Sequence, residues 1–177
     1  LLASELTAHA QLAAGFDVKK SEVHGMAQRG GSVEAHLRYG EKVYSPLIEL
    51  GTADILVAFE ILEAVRYLPY LHKDSAVVVN TQKILPPSVA LGKASYPENI
   101  LDELTNRHIK VVAIDAFAVA ESVGELRTAN VAMVGAMSNF LAVSPDVFLE
   151  VIDATVKERF REVNKQAFAA GRAAVYA

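Results

Sequence analysis

Three short, uninterrupted apolar runs constrain this chain most: Ile55–Phe59, Ala76–Val79 and Val111–Ile114. Each is stopped by a residue with a polar side chain, Glu60, Asn80 and Asp115 in turn. A strand with one solvated face alternates apolar and polar residues, so a continuous run of this length belongs to a strand covered on both faces. Between the runs lie segments with helical spacing, at Glu60–Leu71 (interrupted late by Pro69) and Glu98–Arg107. Strands alternating with helices define an α/β domain whose parallel sheet is covered by helices.

The remaining elements follow from local signals. Leu1–Ala14 reads as a helix with Leu2, Leu6, Ala10 and Ala13 on one face and Gly15 as its stop. Phe16–Val23 reads as a strand. Ser32–Tyr39 alternates strictly, which predicts Val33, Ala35, Leu37 and Tyr39 on a covered face and Ser32, Glu34, His36 and Arg38 outside. Pro97 suits the first turn of the Glu98–Arg107 helix. Helices are predicted at Ala116–Val123, Asn130–Leu141 and Pro145–Ala170, the last with Ser144 as N-cap, Pro145 in its first turn and Gly171 as its stop. The 177 residues form one domain on this reading, 1–177, with no repeat or linker. A domain of this type normally opens with a strand feeding its first helix, whereas this sequence starts inside the helix. The expectation is a Rossmann-like sheet lacking its first strand and turn.

Composition excludes several classes. A net charge of −4 with scattered Lys and Arg gives no nucleic-acid footprint. No apolar run reaches the length of a membrane span. There are no cysteines, so these residues make no disulfide, ligate no iron–sulfur cluster through thiolates and offer no thiol nucleophile. That usage fits a cytoplasmic protein. GxSxG, Walker lysine, HExxH and CxxC motifs are absent, and no complete catalytic set can be assembled.

The chemistry concentrates in Ser21–Val33, SEVHGMAQRGGSV. Hairpin connections usually take two to five residues, and few need this set of side chains. Arg29 offers a planar fork of donors for phosphate or carboxylate. Gly30 and Gly31 free backbone N–H groups for an anion-binding nest. His24 is the candidate proton carrier near neutrality, with Glu22 and Gln28 beside it. The same stretch also suits a loop held by its own hydrogen bonds or docked on a partner. Asn80 follows a buried strand, where ligands of open α/β sheets bind, and stands between a ligand role and a structural one. Glu60 and Asp115 read better as helix N-caps. His9, His36, His72 and His108 are isolated and read as surface or internally satisfied residues. Arg127–Asn130 could cap the following helix and pair with a ligand, whereas the small residues Gly135, Ala136 and Ser138 suggest close helix packing instead, and packing is the better reading. The mixed-charge stretch Lys157–Asn164 reads as a solvated face.

Several stretches together resemble one family. They are SEVHGMAQRGGSVEAHLRYG (Ser21–Gly40), SPLIELGTADILVAFEILEAVRYLPYL (Ser45–Leu71), VVVNTQKILPP (Val77–Pro87), Tyr96–Pro97, NVAMVGAMSNFL (Asn130–Leu141) and NKQAFAAGR (Asn164–Arg172). This pattern, spread over nearly the whole chain, is similar to the γ-type domain of 2-oxoacid:ferredoxin oxidoreductases. FEILEAVRYLPYL favours the indolepyruvate branch. The resemblance implies a Rossmann-like subunit of a complex that decarboxylates a 2-oxoacid, joins the acyl group to coenzyme A and reduces ferredoxin. It implies that thiamine diphosphate, Mg²⁺ and iron–sulfur clusters belong to a large catalytic α subunit, with no cofactor held here. Glu22, Gln28, Arg29, Gly30, Gly31 and Asn80 would then serve the substrate or coenzyme A interface, with His24 facing the reacting groups. The family's glycine-rich first turn is not present in this sequence. An apolar face made for the α subunit would also permit a homodimer in isolation.

Overall fold

The structure is a computed structural model that describes residues 2–25, 33–107 and 109–176. The first helix, α1 (Leu2–Ala13), buries Leu6, Ala8 and Ala10, while Ala13 is exposed rather than on the covered face. Gly15 ends it with φ 92°, a left-handed value that suits a residue without Cβ. An antiparallel hairpin follows, β1 (Asp17–His24) with β2 (Val33–Gly40), in register from Asp17↔Gly40 to His24↔Val33.

A separate parallel sheet is formed by β3 (Ala53–Ala58), β4 (Leu71–Asn80) and β5 (Lys110–Ile114), with β4 in the middle. Residues 75–80 of β4 are all buried, and the pleat sends alternate valines to opposite layers. Val77 and Val79 join Ile61, Ala64, Ile100 and Leu104 from α2 (Ile61–Arg66) and α4 (Ile100–Asn106). Val78 joins the larger cluster of Leu6, Met133, Phe148, Ile152 and Phe168. This second layer is built from α1, α5 (Ala116–Ser122), α6 (Ala129–Ser138), α7 (Pro145–Thr155) and α8 (Glu158–Ala173). One turn of helix between β4 and α4, Pro87–Ala90, is α3.

The expectation of strands covered on both faces holds fully only for β4. At the edges, Ile55, Leu56 and Val57 of β3 and Val111 and Val112 of β5 are half-buried. Among the described residues no strand pairs with the outer edge of β3.

Other expectations need correction. The helix expected at Glu98–Arg107 begins at Ile100, so Pro97 lies before it. The helix expected through Leu71 ends at Arg66, and Leu68–Tyr70 forms a 3₁₀ turn leading into β4. Pro145–Ala170 is two helices, parted where Val156 is extended at φ −89°, ψ 140°. In one continuous helix Phe148 and Phe168 would lie about 30 Å apart. The reversal instead stacks their rings at 5.3 Å. Gly171 is not a stop, because α8 runs through it. A Cβ on Gly171 would lie 2.0 Å from the Ala132 carbonyl oxygen, and one on Gly135 would lie 2.1 Å from that of Phe168. The two glycines let α6 and α8 cross with backbones in contact, which bears out the close packing expected around Gly135.

The expected inside and outside are exchanged at residues 33–36, while Leu37 is half-buried and Arg38 exposed as expected. Val33 and Ala35 are exposed, whereas Glu34 and His36 are half-buried. The face carrying Val33, Ala35, Leu37 and Tyr39 is the one turned toward α1: Tyr39 packs edge-on against Phe16, and Glu22, opposite Ala35, accepts from Ser4 of α1. The opposite face is covered by Tyr67, Tyr70 and the segment after β2.

Gly171→Ala is expected to cost about 3 kcal/mol by overpacking against backbone, lowering Tm by about 6–12 °C in a thermal melt. An unchanged Tm would contradict the close crossing. The Lys19 ammonium 2.7 Å away and the Val43 N–H at 3.0 Å hold the Asp17 carboxyl down to about 2. Because this pKa lies below the unfolded value, the contribution is present above about pH 4 and is lost as pH falls toward 2. Asp17→Asn should remove that part of the acid destabilisation in pH-dependent melts.

Candidate functional site

Two regions gather the chemistry, the free end of the hairpin and the carboxyl edge of the parallel sheet. At the hairpin, Glu22 points toward α1, with its side chain only 11% exposed. Its carboxylate accepts from the Ser4 hydroxyl, pairs with Lys20 at 3.0 Å and lies 3.5 Å from His24 Nε2. The Ser4 hydroxyl, and then the Lys20 ammonium, hold the Glu22 carboxyl below its usual range. His24 is the last residue of β1 and is exposed, with Val23 and Val33 beside it 62% and 48% exposed. The hairpin therefore carries an anchored acid, an imidazole and two uncovered valines toward its tip. Gln28, Arg29, Gly30 and Gly31 lie outside the described residues.

At the carboxyl edge, Asn80 is buried and both ends of its amide are committed to the fold. Nδ2 donates to the Phe59 carbonyl at 3.1 Å, and Oδ1 accepts from the Ala116 N–H at 3.0 Å. It thus ties the end of β3 to the start of α5 across β4, and its side chain is the floor of the site. Glu60 caps α2 as expected, with Oε2 accepting from the Leu62 N–H at 2.8 Å. Its other oxygen accepts from the Ile84 N–H at 3.1 Å and the Tyr96 hydroxyl at 2.6 Å. Burial, reinforced by that carboxylate, pushes the Tyr96 phenol up. Asp115 also caps as expected, accepting from the N–H groups of Phe117 and Ala118.

Above this floor is an open groove of about 410 Å³, with Phe59, Gln82, Phe117, Leu126, Arg127 and Asn130 among its walls. It lies beyond the carboxyl ends of β3, β4 and β5, where open α/β sheets bind ligands. Arg127, read from sequence as a possible cap or ligand partner, has its side chain 83% exposed on the rim, where it forks onto Glu125 at 3.1 and 3.4 Å. Sequence reasoning missed Phe59, Gln82, Phe117 and Leu126 as wall residues. The available signal was position, since Phe59 and Phe117 sit just past strand ends. The hairpin group and the groove are built on different sheets, and no described contact joins Glu22 or His24 to Asn80.

Of the isolated histidines, His36 bonds Glu34 and the Ile48 amide, and His72 lies 3.4 Å from Asp54. His9 is exposed, and His108 lies outside the described residues. Among the described residues no group of three or more His, Cys, Asp or Glu is placed to hold a metal, and no helix is long and apolar enough to cross a membrane.

This arrangement of a parallel sheet, helical layers and hairpin among the described residues is matched by solved structures. The γ subunit of a keto/oxoacid ferredoxin oxidoreductase from Geobacter sulfurreducens superposes with a TM-score of 0.70. It is 22% identical, and the match covers 99% of this chain and 90% of that one. A 2-oxoglutarate:ferredoxin oxidoreductase from Magnetococcus marinus gives 0.71 at 19% identity, covering 99% of this chain and 28% of that one. These establish the γ-type fold. The family described as pyruvate ferredoxin/flavodoxin oxidoreductase matches residues 1–174. A protein of Archaeoglobus fulgidus named indolepyruvate oxidoreductase subunit IorB is 40% identical over 175 residues, 97% of this chain and 87% of its own length. A protein of the same name from Thermococcus kodakarensis is 39% identical over 178 residues with the same coverage. The chain belongs to the pyruvate ferredoxin/flavodoxin oxidoreductase family, as a γ-type subunit of a 2-oxoacid:ferredoxin oxidoreductase.

Asn80→Ala would leave the Phe59 carbonyl and the buried Ala116 N–H without their partner, a loss of about 1–3 kcal/mol. The expected readout is a Tm lowered by about 2–12 °C. A neutral Asn80→Ala would mean that the side chain does not hold the edge together.

Proposed function

We propose that this chain is the small subunit of an indolepyruvate-type enzyme. That enzyme converts an aryl 2-oxoacid and coenzyme A to the acyl-coenzyme A and CO₂, passing two electrons to ferredoxin. The observation that carries this reading is the 40% identity, across 97% of the chain, to a protein named as an indolepyruvate oxidoreductase subunit. In this reading a large catalytic partner subunit holds thiamine diphosphate, Mg²⁺ and the iron–sulfur clusters, and the complex works in the cytoplasm. When bound there, those groups supply the carbon nucleophile for decarboxylation and the path for electrons. The residues of this chain do not fit them. There is no cysteine for a cluster and no metal-holding group among the described residues.

What this chain contributes is surface and charge at the boundary with the partner. In the sequence Gln28, Arg29, Gly30 and Gly31 follow Glu22 and His24. Arg29, with the two glycine N–H groups, binds a phosphate of coenzyme A or an interface carboxylate. Glu22 is anchored through Ser4 to α1 and steadies the strand that ends at His24. His24 then gives or takes a proton near the thioester-forming thiol. Asn80 supports the edge beneath the groove and touches no substrate.

The test is reduction of a ferredoxin substitute by the full-length subunit co-expressed with its large partner. Indolepyruvate should turn over faster than pyruvate, and only with coenzyme A. Preference for pyruvate or a branched-chain 2-oxoacid would move the substrate and keep the family. A complex with no turnover of any 2-oxoacid would overturn the proposal. In the same assay Arg29→Ala should raise the apparent KM for coenzyme A about 10–100-fold, the effect of losing a charge-assisted hydrogen bond. An unchanged KM with intact assembly removes Arg29 from that role.

A further inference from the structure

Between β2 and β3, residues 41–52 form no helix or strand, yet side chains of the hairpin capture their backbone. Asp17 Oδ2 accepts from the Val43 N–H at 3.0 Å. Arg38 Nη1 lies 3.3 Å from the carbonyl oxygens of both Ser45 and Leu47. His36 Nδ1 lies 2.9 Å from the Ile48 nitrogen. This strap displays large apolar side chains outward, with Tyr44 89%, Leu47 58% and Leu50 66% exposed.

The His36 ring has its two nitrogens assigned by chemistry. A backbone amide only donates, so Nδ1 must offer Ile48 a bare lone pair. Nε2 lies 2.7 Å from Glu34 Oε1, and the other Glu34 oxygen accepts from the Tyr67 hydroxyl at 2.7 Å. Those two bonds, that of Tyr67 the larger, hold the Glu34 carboxyl below its usual range, so it is an anion that only accepts. Nε2 therefore carries the proton. The ring is mostly covered, its side chain 13% exposed, with Tyr70 edge-on at 5.6 Å.

We propose that His36 is a proton-operated latch, in which a proton on Nδ1 and the Ile48 amide compete for one lone pair, so that acidification releases the strap 44–50. The docked strap excludes that proton and the released strap admits it. Docking of the strap and protonation of Nδ1 therefore oppose each other. The charged and titratable neighbours come from each packed element. Glu34 and Arg38 flank His36 on β2, and Tyr67 and Tyr70 cover it from the turn after α2. On β1 Ser21 stands opposite, with Lys19 next along the same face, and the strap itself carries Glu49 beside Ile48. Glu34 favours an imidazolium, and Arg38 and Lys19 oppose it. The latch governs whether Tyr44, Leu47 and Leu50 are presented in one fixed arrangement.

The test is hydrogen–deuterium exchange of the full-length protein with its partner, on peptides covering 44–51 and corrected for the intrinsic pH dependence of exchange. One linked proton changes an equilibrium by at most about tenfold per pH unit. Protection is expected to fall at least about fivefold from pH 8 to pH 5.5. His36→Asn keeps an acceptor for Ile48 but cannot titrate, and it should hold protection level over that range. Flat protection in the natural protein, or an equal fall in His36→Asn, would overturn the latch. Imidazole ¹⁵N shifts of the natural protein at pH 8 need no variant. A ring protonated on Nδ1 there would equally refute the proposal.

Discussion

The burial of residues 75–80 of β4 on both faces is the constraint on which the rest of this structure depends. A strand with helices against both faces must present apolar side chains in both directions. Ala76–Val79 does so, with Val78 in one layer and Val77 and Val79 in the other. The layers differ in construction. On one side the short helices α2 and α4 cover the sheet. On the other, the wholly buried end of α6 lies against β4, with α8 crossing it so closely that only glycines fit at Gly135 and Gly171. Backbone contact brings α8 near enough to stack Phe168 on Phe148, which closes the larger core.

Burying a strand to its end creates a polar problem at its carboxyl edge, and the site is built from the solution. Strand-end carbonyls and helix-start N–H groups need partners when they are covered. Asn80 serves Phe59 and Ala116 together, while Glu60 serves Leu62, Ile84 and Tyr96. Asn80 stood in the sequence between a ligand contact and a structural role and Glu60 read as a cap, and the hydrogen-bonding capacity of both is largely taken up by the fold. They make a rigid floor, and the residues left to meet anything above it are mostly apolar. That character suits a surface completed by another chain, in keeping with a subunit of a larger oxidoreductase.

The hairpin follows different rules because most of it leaves the core. Its alternation was legible, but the covered face was not. A period-two pattern shows that two faces differ and says nothing about which one finds a neighbour. Here Tyr67, Tyr70 and the strap cover Glu34 and His36, converting a nominally solvent face into a hydrogen-bonded one. The exposed Val23 and Val33 remain on the arm that leads to Arg29, Gly30 and Gly31.

By itself the sequence determined the α/β class, the approximate positions of the strands among the described residues, the caps at Glu60, Asp115 and Ser144, and the family. Each depends on local pattern or on side chains next to their own backbone. The likeness of Ser21–Gly40 and its companions likewise needs no distances. Only the tertiary structure decided that Pro145–Ala170 breaks at Val156, that Gly171 is a helix crossing, that Asn80 is a brace, and which face of the hairpin is covered. In each case the deciding partner lies far away in sequence: Ala132 for Gly171, Phe59 and Ala116 for Asn80, Tyr67 for Glu34. A residue's type and spacing set what it is able to bond, and packing chooses the group it meets.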